Sequence, residues 1–380
     1  MLASRTGPDE PDTLLARLKN RIAEDGPLTI ADYMEACLSD PEHGYYSTRD
    51  PFGAAGDFTT APEISQIFGE LIGLWCAVVW RQMKAPRPVK LIELGPGRGT
   101  LMADALRAAA TVPEFADALE VHLVETSPVL RRLQGERLQT SGKTPQWHTR
   151  LQEVPEGAAI IIANEFLDAL PVRQFERRDG TWYERCIGLS PEGTLQFQSA
   201  TRALENAALI PSGLHEGARE GDLAEIRPAA ETIVETIAAR VEHAPVAALF
   251  IDYGHSMSAP GESLQAVRSH GYADPLDQPG AGDLTAHVDF GQLGDAALRD
   301  GLLVHGPVSQ GAFLMALGLN ERCTRLAENT GAEARNLIES GARRLVDQAQ
   351  MGELFKVMAL SSEGLAPPPF SATPAPEPGR

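Results

Sequence analysis

Three clusters of residues in this sequence carry the means for chemistry. The first is LIELGPGRGTL, residues 91–101, in which Gly95, Gly97 and Gly99 follow an apolar run and precede a helical pattern. Glycine permits a tight turn and lets a ligand approach the main chain without meeting a Cβ atom. A helix starting there presents unpaired N–H groups. The spacing is not the dinucleotide fingerprint G-x-G-x-x-G, because Thr100 stands where its last glycine would be. Nor is it a P-loop, which needs a Gly-Lys-Ser/Thr ending. Glu93 sits just before the turn. Its carboxylate would repel a pyrophosphate but not the cationic sulfonium and amino group of S-adenosylmethionine.

The second cluster is Glu125, which closes the run EVHLVE at 120–125. An acid at the end of the second strand of a nucleotide-binding α/β fold accepts hydrogen bonds from ribose hydroxyls. The competing reading is a solvated strand end. Taken with Glu93, Gly95, Gly97 and Gly99, Glu125 implies a site for S-adenosylmethionine. The third cluster is IIIANEFLDALPV, residues 160–172. Asn164 and Glu165 end an apolar strand, where α/β sheets place their chemistry, and Asn164 is counted with the cofactor residues. Asp168 follows three residues later. If a helical turn succeeds the strand, Glu165 and Asp168 share one face, able to clamp a guanidinium or ammonium group and accept its proton. The alternative is that Asn164 or Asp168 merely caps a helix.

The elements around these clusters follow from hydrophobic spacing. Leu14, Leu15, Leu18 and Ile22 predict an amphipathic helix, and Thr29 is placed to cap a second one over 30–38. A helix is expected over about 64–83, then strands at 89–94, 120–125, 157–163 and 246–254 with helices between them. Such alternation implies a parallel sheet covered on both faces. Residues 171–199 read as inserted antiparallel hairpins and 255–290 as a long excursion. Strands at 302–307 and 354–360 flank a helix over 332–350. The organisation expected is a disordered segment 1–12, an N-terminal helical segment 13–85, a core at 86–170, accessory hairpins at 171–228, the rest of the core at 229–362, and a proline-rich disordered tail at 363–380.

The chain has 380 residues, 33 Lys plus Arg against 52 Asp plus Glu, and a net charge of −19. Such acidity argues against a nucleic-acid partner and suits a cationic substrate or a basic protein. At 43% hydrophobic residues, with no apolar stretch of membrane length, the chain reads as globular. Cys37, Cys76, Cys186 and Cys323 form no CxxC pair, and no histidine spacing suggests a metal site, so reduced thiols, no metal and a cytoplasmic location are expected. His287 and Asp289 are read either as a base with its orienting acid or as a structural histidine beside a helix cap. In HGYY at 43–46 the two phenols have packing and stacking roles as alternatives, and Trp75 and Trp80 are expected in the core.

The strings GDFTTAPEISQIFGELIGLW (56–75), LIELGPGRGTLM (91–102), ANEFLDALPVRQF (163–175), IDYG (251–254) and GDLTAHVDF (282–290) resemble the MidA family. This is the family of the mitochondrial complex I assembly arginine methyltransferase and its bacterial homologues. The similarity runs from about residue 28 to about residue 360. It implies an α/β fold: a Rossmann-like seven-stranded class I methyltransferase core with an inserted α+β accessory region and an N-terminal helical segment. It also implies S-adenosylmethionine-dependent symmetric dimethylation of a protein arginine, with an arginine of the 49-kDa-type complex I subunit as the mitochondrial member's substrate. The family's loop falls on Gly56 and Asp57. The basic targeting segment of the mitochondrial member has no counterpart in this sequence, which again suits a bacterial cytoplasmic protein. Two rival readings remain at this stage: a methyltransferase for another substrate, and an assembly chaperone that keeps the fold without turnover.

Overall fold

The computed structural model describes residues 12–48, 60–215, 217–268, 271–328 and 330–370. The expected loop at Gly56 and Asp57 and the N-terminal residues 1–11 lie outside that range. The chain forms two compact units. The smaller takes residues 1–51, 169–228 and 259–286, and the larger takes 52–168, 229–258 and 287–380. The segment expected over 13–85 is therefore shared between them.

In the larger unit seven strands lie in the spatial order Leu303–Ser309, Phe355–Ser361, Val246–His255, Ala159–Asn164, Val89–Leu94, Leu119–Val124 and Gln146–His148. Numbered along the chain and read from the far edge, this is 3-2-1-4-5-7-6. The first five strands are mutually parallel, and Phe355–Ser361 runs antiparallel to both its neighbours. This is the expected seven-stranded α/β core, to which the two-residue strand Val288–Asp289 adds a parallel pairing on the end of Val246–His255. The two central strands, Val89–Leu94 and Ala159–Asn164, are buried along their whole length. That is why they read as continuous rather than alternating apolar runs. Winding reverses between these two strands, so their C-terminal ends diverge into a crevice.

Two helices pack together beside this part of the core. The expected helix over 64–83 is split: a single turn, Ala61–Ile64, ends at Ser65, whose extended backbone and side chain then cap Gln66–Gln82. Gln66–Gln82 lies against Thr100–Ala109 at a close crossing. A Cβ at Gly73 would fall 2.5 Å from the Ala105 carbonyl oxygen, so glycine is what lets the backbones meet there. Trp75 and Trp80 are both 1% exposed, as expected. The tail is ordered further than anticipated. Leu365 is buried, Phe370 packs on Phe313, and Trp75 Nε1 donates to the Pro368 carbonyl at 2.6 Å. The expectation of disorder from residue 363 is corrected for 363–370, because a tryptophan N–H and an aromatic slot give that stretch partners.

The smaller unit contains the predicted helices, Leu14–Asp25 and Ile30–Ser39, the second capped by Thr29, whose Oγ1 accepts from Asp32 N at 3.0 Å. An antiparallel sheet joins Leu28–Thr29, Thr181–Leu189, Arg173–Arg178 and Leu223–Ile226, with Leu195–Ala203 also paired to Thr181–Leu189. Its core is built on Phe175, Trp182, Ile210, Leu214, Ala224 and Ile226. The excursion at 255–290 holds a further antiparallel sheet of Gln265–Arg268, Gly271–Ala273 and Asp283–Thr285. Tyr45 is fully buried and Tyr46 donates to Asp283 at 2.9 Å, so both phenols pack. All four cysteines are free thiols.

Candidate active site

The glycine turn leaves the strand Val89–Leu94 and starts the helix Thr100–Ala109. Gly95, Gly97 and Gly99 take φ of 62°, 52° and 77°, the left-handed region that a Cβ disfavours. At Gly95 a Cβ would also lie 2.6 Å from the Phe166 ring. Gly95 N donates to Val124 O at 3.0 Å, which ties the turn to the neighbouring strand. No side chain caps the helix that follows.

Glu93 is 3% exposed and its Oε2 has no hydrogen-bond partner. Burial, with the nearby charge of Glu125 adding to it, pushes its carboxyl up to about 8. A buried acceptor without a donor is incomplete until a ligand supplies one. Glu125 follows directly on the strand Leu119–Val124, which stops one residue short of the expected end. Its Oε1 accepts from Ser127 N at 2.8 Å and its Oε2 from Gln134 Nε2 at 3.1 Å. Burial raises its pKa in spite of those bonds.

Gln134 escaped the sequence reading. Its amide nitrogen also donates to Gly97 O at 2.8 Å, and its oxygen accepts from Trp147 Nε1 at 2.8 Å. It therefore fixes the glycine turn and Glu125 relative to each other. One signal was present: Gln134 lies on the helix Pro128–Leu138 four residues from both Leu130 and Leu138, a polar side chain on the buried face.

The third cluster departs from expectation in shape. No helical turn follows Asn164, so Glu165 and Asp168 do not share a helix face. The chain bends instead, and Glu165 takes φ of 49° although it carries a side chain. Its Oε1 accepts from Ala61 N at 3.0 Å and from Asn164 Nδ2 at 3.2 Å. The carboxyl is pushed up to about 7, first by burial and then by the charge of Asp168. Asp168 is itself buried. The N–H groups of Phe166, Leu167 and Asp168 all donate to Asp252 Oδ2, at 3.2, 2.9 and 3.2 Å.

A cavity opens where these pieces meet. Glu93, Gly95, Gly97, Asn164 and Glu165 line it, together with Glu63 and Arg98. Gly99, Glu125 and Asp168 are outside its lining. Glu63 accepts from Thr100 Oγ1 and lies 3.8 Å from Arg98. Asp289 caps the helix Phe290–Arg299 and lies 3.4 Å from His255 Nε2, while His287 contacts the Tyr253 ring edge-on. Neither reaches the cavity. The chemistry of the donor set fits S-adenosylmethionine. Glu93 and Asn164 offer unpartnered oxygens, the glycine turn offers open main chain, and the carboxylates suit a cation rather than a phosphate.

A family model described as S-adenosyl-L-methionine-dependent methyltransferase matches residues 71–308, more than half of the chain. The protein arginine methyltransferase NDUFAF7 homolog, mitochondrial, of Drosophila melanogaster is 37% identical over 375 residues, 92% of this chain and 84% of that protein. Human protein arginine methyltransferase NDUFAF7, mitochondrial, is 35% identical over 374 residues, 91% of this chain and 83% of its own. A Burkholderia thailandensis protein crystallised with S-adenosyl-homocysteine superposes with a TM-score of 0.79 at 31% identity. That match covers 93% of this chain and 92% of the other. The fold, the cofactor and the methyltransferase activity expected from the sequence stand. The cytoplasmic location does not, because the curated relatives are named as mitochondrial proteins. Among the described residues no helix is long and apolar enough to cross a membrane. By sequence and by fold, the chain belongs to the MidA-like family of S-adenosylmethionine-dependent methyltransferases.

Proposed function

We propose that the protein methylates an arginine of a partner protein, a respiratory complex I subunit in the reading the family suggests, with the glycine-turn side of the cavity holding the cofactor and Glu165 holding the guanidinium. The observation that carries this is the sharing of one cavity by Glu93 and Glu165. Two acids there serve two cations, a sulfonium and a guanidinium. The cofactor supplies an activated methyl group bound to positively charged sulfur. Glu93, Gly95, Gly97 and Asn164 would hold it from the cavity wall. Glu125, supported by Gln134, would take the ribose from behind the turn.

A guanidinium is protonated at cellular pH and offers a planar fork of donors. Glu165 would pair with that fork, turn one nitrogen toward the methyl carbon and gather electron density on it. The nitrogen lone pair forms the new N–C bond as the C–S bond breaks and its electrons return to sulfur. The surplus N–H proton passes to the Glu165 carboxylate. Its raised pKa, about 7, makes that carboxylate a better base than a solvated one. Asp168, buried beside Glu165, keeps that pKa up.

The test is transfer of labelled methyl from S-adenosylmethionine to the 49-kDa-type complex I subunit, with mass spectrometry for symmetric ω-dimethylarginine. Label on arginine is the expected result. Label confined to lysine, to a terminus or to small molecules contradicts the reading.

A further inference from the structure

The turn that carries Glu165 is held in a costly shape. A non-glycine residue at φ of 49° sits in the left-handed region that a Cβ disfavours and persists only where its surroundings hold it. One group does most of that holding. Asp252 is 1% exposed at the C-terminal end of the strand Val246–His255. Its Oδ2 accepts from three successive N–H groups, those of Phe166, Leu167 and Asp168. Its Oδ1 accepts from Tyr253 N at 3.0 Å, which fixes the carboxylate plane. Glu165 N itself donates to Ile251 O at 2.9 Å, one residue before Asp252. Three main-chain donors converging on one carboxylate oxygen make an anion nest, and the protein fills it from within.

We propose that Asp252 is the positioning residue for Glu165. It holds the 166–168 turn so that the Glu165 carboxylate faces the cavity, and it touches neither cofactor nor substrate. This rests on the reading of Glu165 given above. Without the cap the three N–H groups are unsatisfied, the turn relaxes toward negative φ at Glu165, and the carboxylate swings off the line of methyl transfer. The glycine turn and Glu125 have their own supports in Val124, Gln134 and Trp147, so cofactor binding should be insulated from the change.

Asp252→Ala strands three buried donors and endangers the fold. Asp252→Asn keeps the shape and one acceptor oxygen, and is the variant to use in the full chain. Amide hydrogen exchange at residues 166–168 should speed up by about tenfold or more. The dissociation constant for S-adenosylhomocysteine should stay within about twofold of wild type. Methyl transfer to the 49-kDa-type subunit should fall by at least about tenfold in kcat, with the KM for S-adenosylmethionine unchanged. In a Glu165→Gln background the same change should add no further loss, because one residue acts through the other. Unaltered exchange overturns the capping role, and faster exchange with full transfer overturns the positioning role. So does a loss of cofactor affinity equal to the loss of kcat, or a loss additive with Glu165→Gln. A Glu165→Gln enzyme that transfers normally is a different failure, that of the guanidinium reading itself.

Discussion

The glycine turn at 95–99 and the turn at 165–168 both adopt left-handed backbone at the end of a buried central strand, but they are built in opposite ways. The first uses three glycines, for which φ of 52–77° is inexpensive. Its conformation is encoded where it occurs. The second puts a glutamate at φ of 49° and holds it with a carboxylate 87 positions further along the chain, Asp252, through bonds to the next three residues. A site that must let a ligand approach the backbone needs residues without side chains. A site that must present a side chain at a fixed angle cannot use glycine, and takes its support from elsewhere in the sheet. In the proposed assignment the cofactor half is shaped by its own glycines and tied down through Val124 and Gln134, and the substrate half is held by Asp252.

If that contrast is right, damage should stay within each half. The largest effect belongs to Gly97→Val, which puts a branched side chain at φ of 52° beside the cavity. S-adenosylmethionine affinity should fall by at least about a hundredfold while the cooperative unfolding transition survives. Calorimetric titration with a parallel melt checks it, and unchanged affinity would remove the turn from the site. Glu125→Ala comes next. Charge-assisted hydrogen bonds are worth roughly 1.5–3 kcal/mol each, so the affinity loss should be about tenfold or more. A loss below about twofold would make Glu125 a bystander at its strand end. Trp147→Phe removes the donor that orients Gln134 and should cost about threefold in cofactor affinity, with kcat little changed. An equal effect on both parameters would mean that the halves are not insulated.

The smallest effect is a slope with pH. Glu93 has an ordinary value of 4.5 and is pushed up to about 8 by burial. Between those limits the folded chain holds a proton that the unfolded chain has released. Stability of the ligand-free protein should therefore fall as pH rises across that window and level off above it. A cation beside Glu93 favours the ionised form, so cofactor binding should release a proton and tighten with rising pH over the same range. Glu93→Gln should flatten both slopes. Titrations in two buffers of different ionisation enthalpy read the proton count, and zero protons for the wild type would place Glu93 outside the binding event.

The same contrast explains what the sequence disclosed. The buried strands, the helix cap at Thr29, the antiparallel hairpins after residue 171 and the glycine turn each rest on local pattern, and each is found where the pattern put it. The split at Ser65 was hidden because apolar spacing runs through it. The three-residue strand Gln146–His148 was too short to register, and the small sheet at 265–285 is broken by glycine and proline. Gln134 and Asp252 matter through bonds that span 37 and 84–86 positions, to Gly97 and to residues 166–168, and no local spacing announces these. Asp252 stood in plain view within IDYG, but nothing in the four residues says what its carboxylate holds.

The most direct test of two separable halves is Glu165→Gln, which keeps the size of the side chain and one acceptor but removes the charge. Cofactor titration and mass-spectrometric dimethylarginine yield are measured on the same preparations of both proteins. The predicted result is nearly intact S-adenosylmethionine affinity with methyl transfer down by at least about a hundredfold, or about 2.7 kcal/mol of transition-state stabilisation. Normal transfer by the variant would contradict the account and move the search for the guanidinium clamp to Asp168 and Glu63.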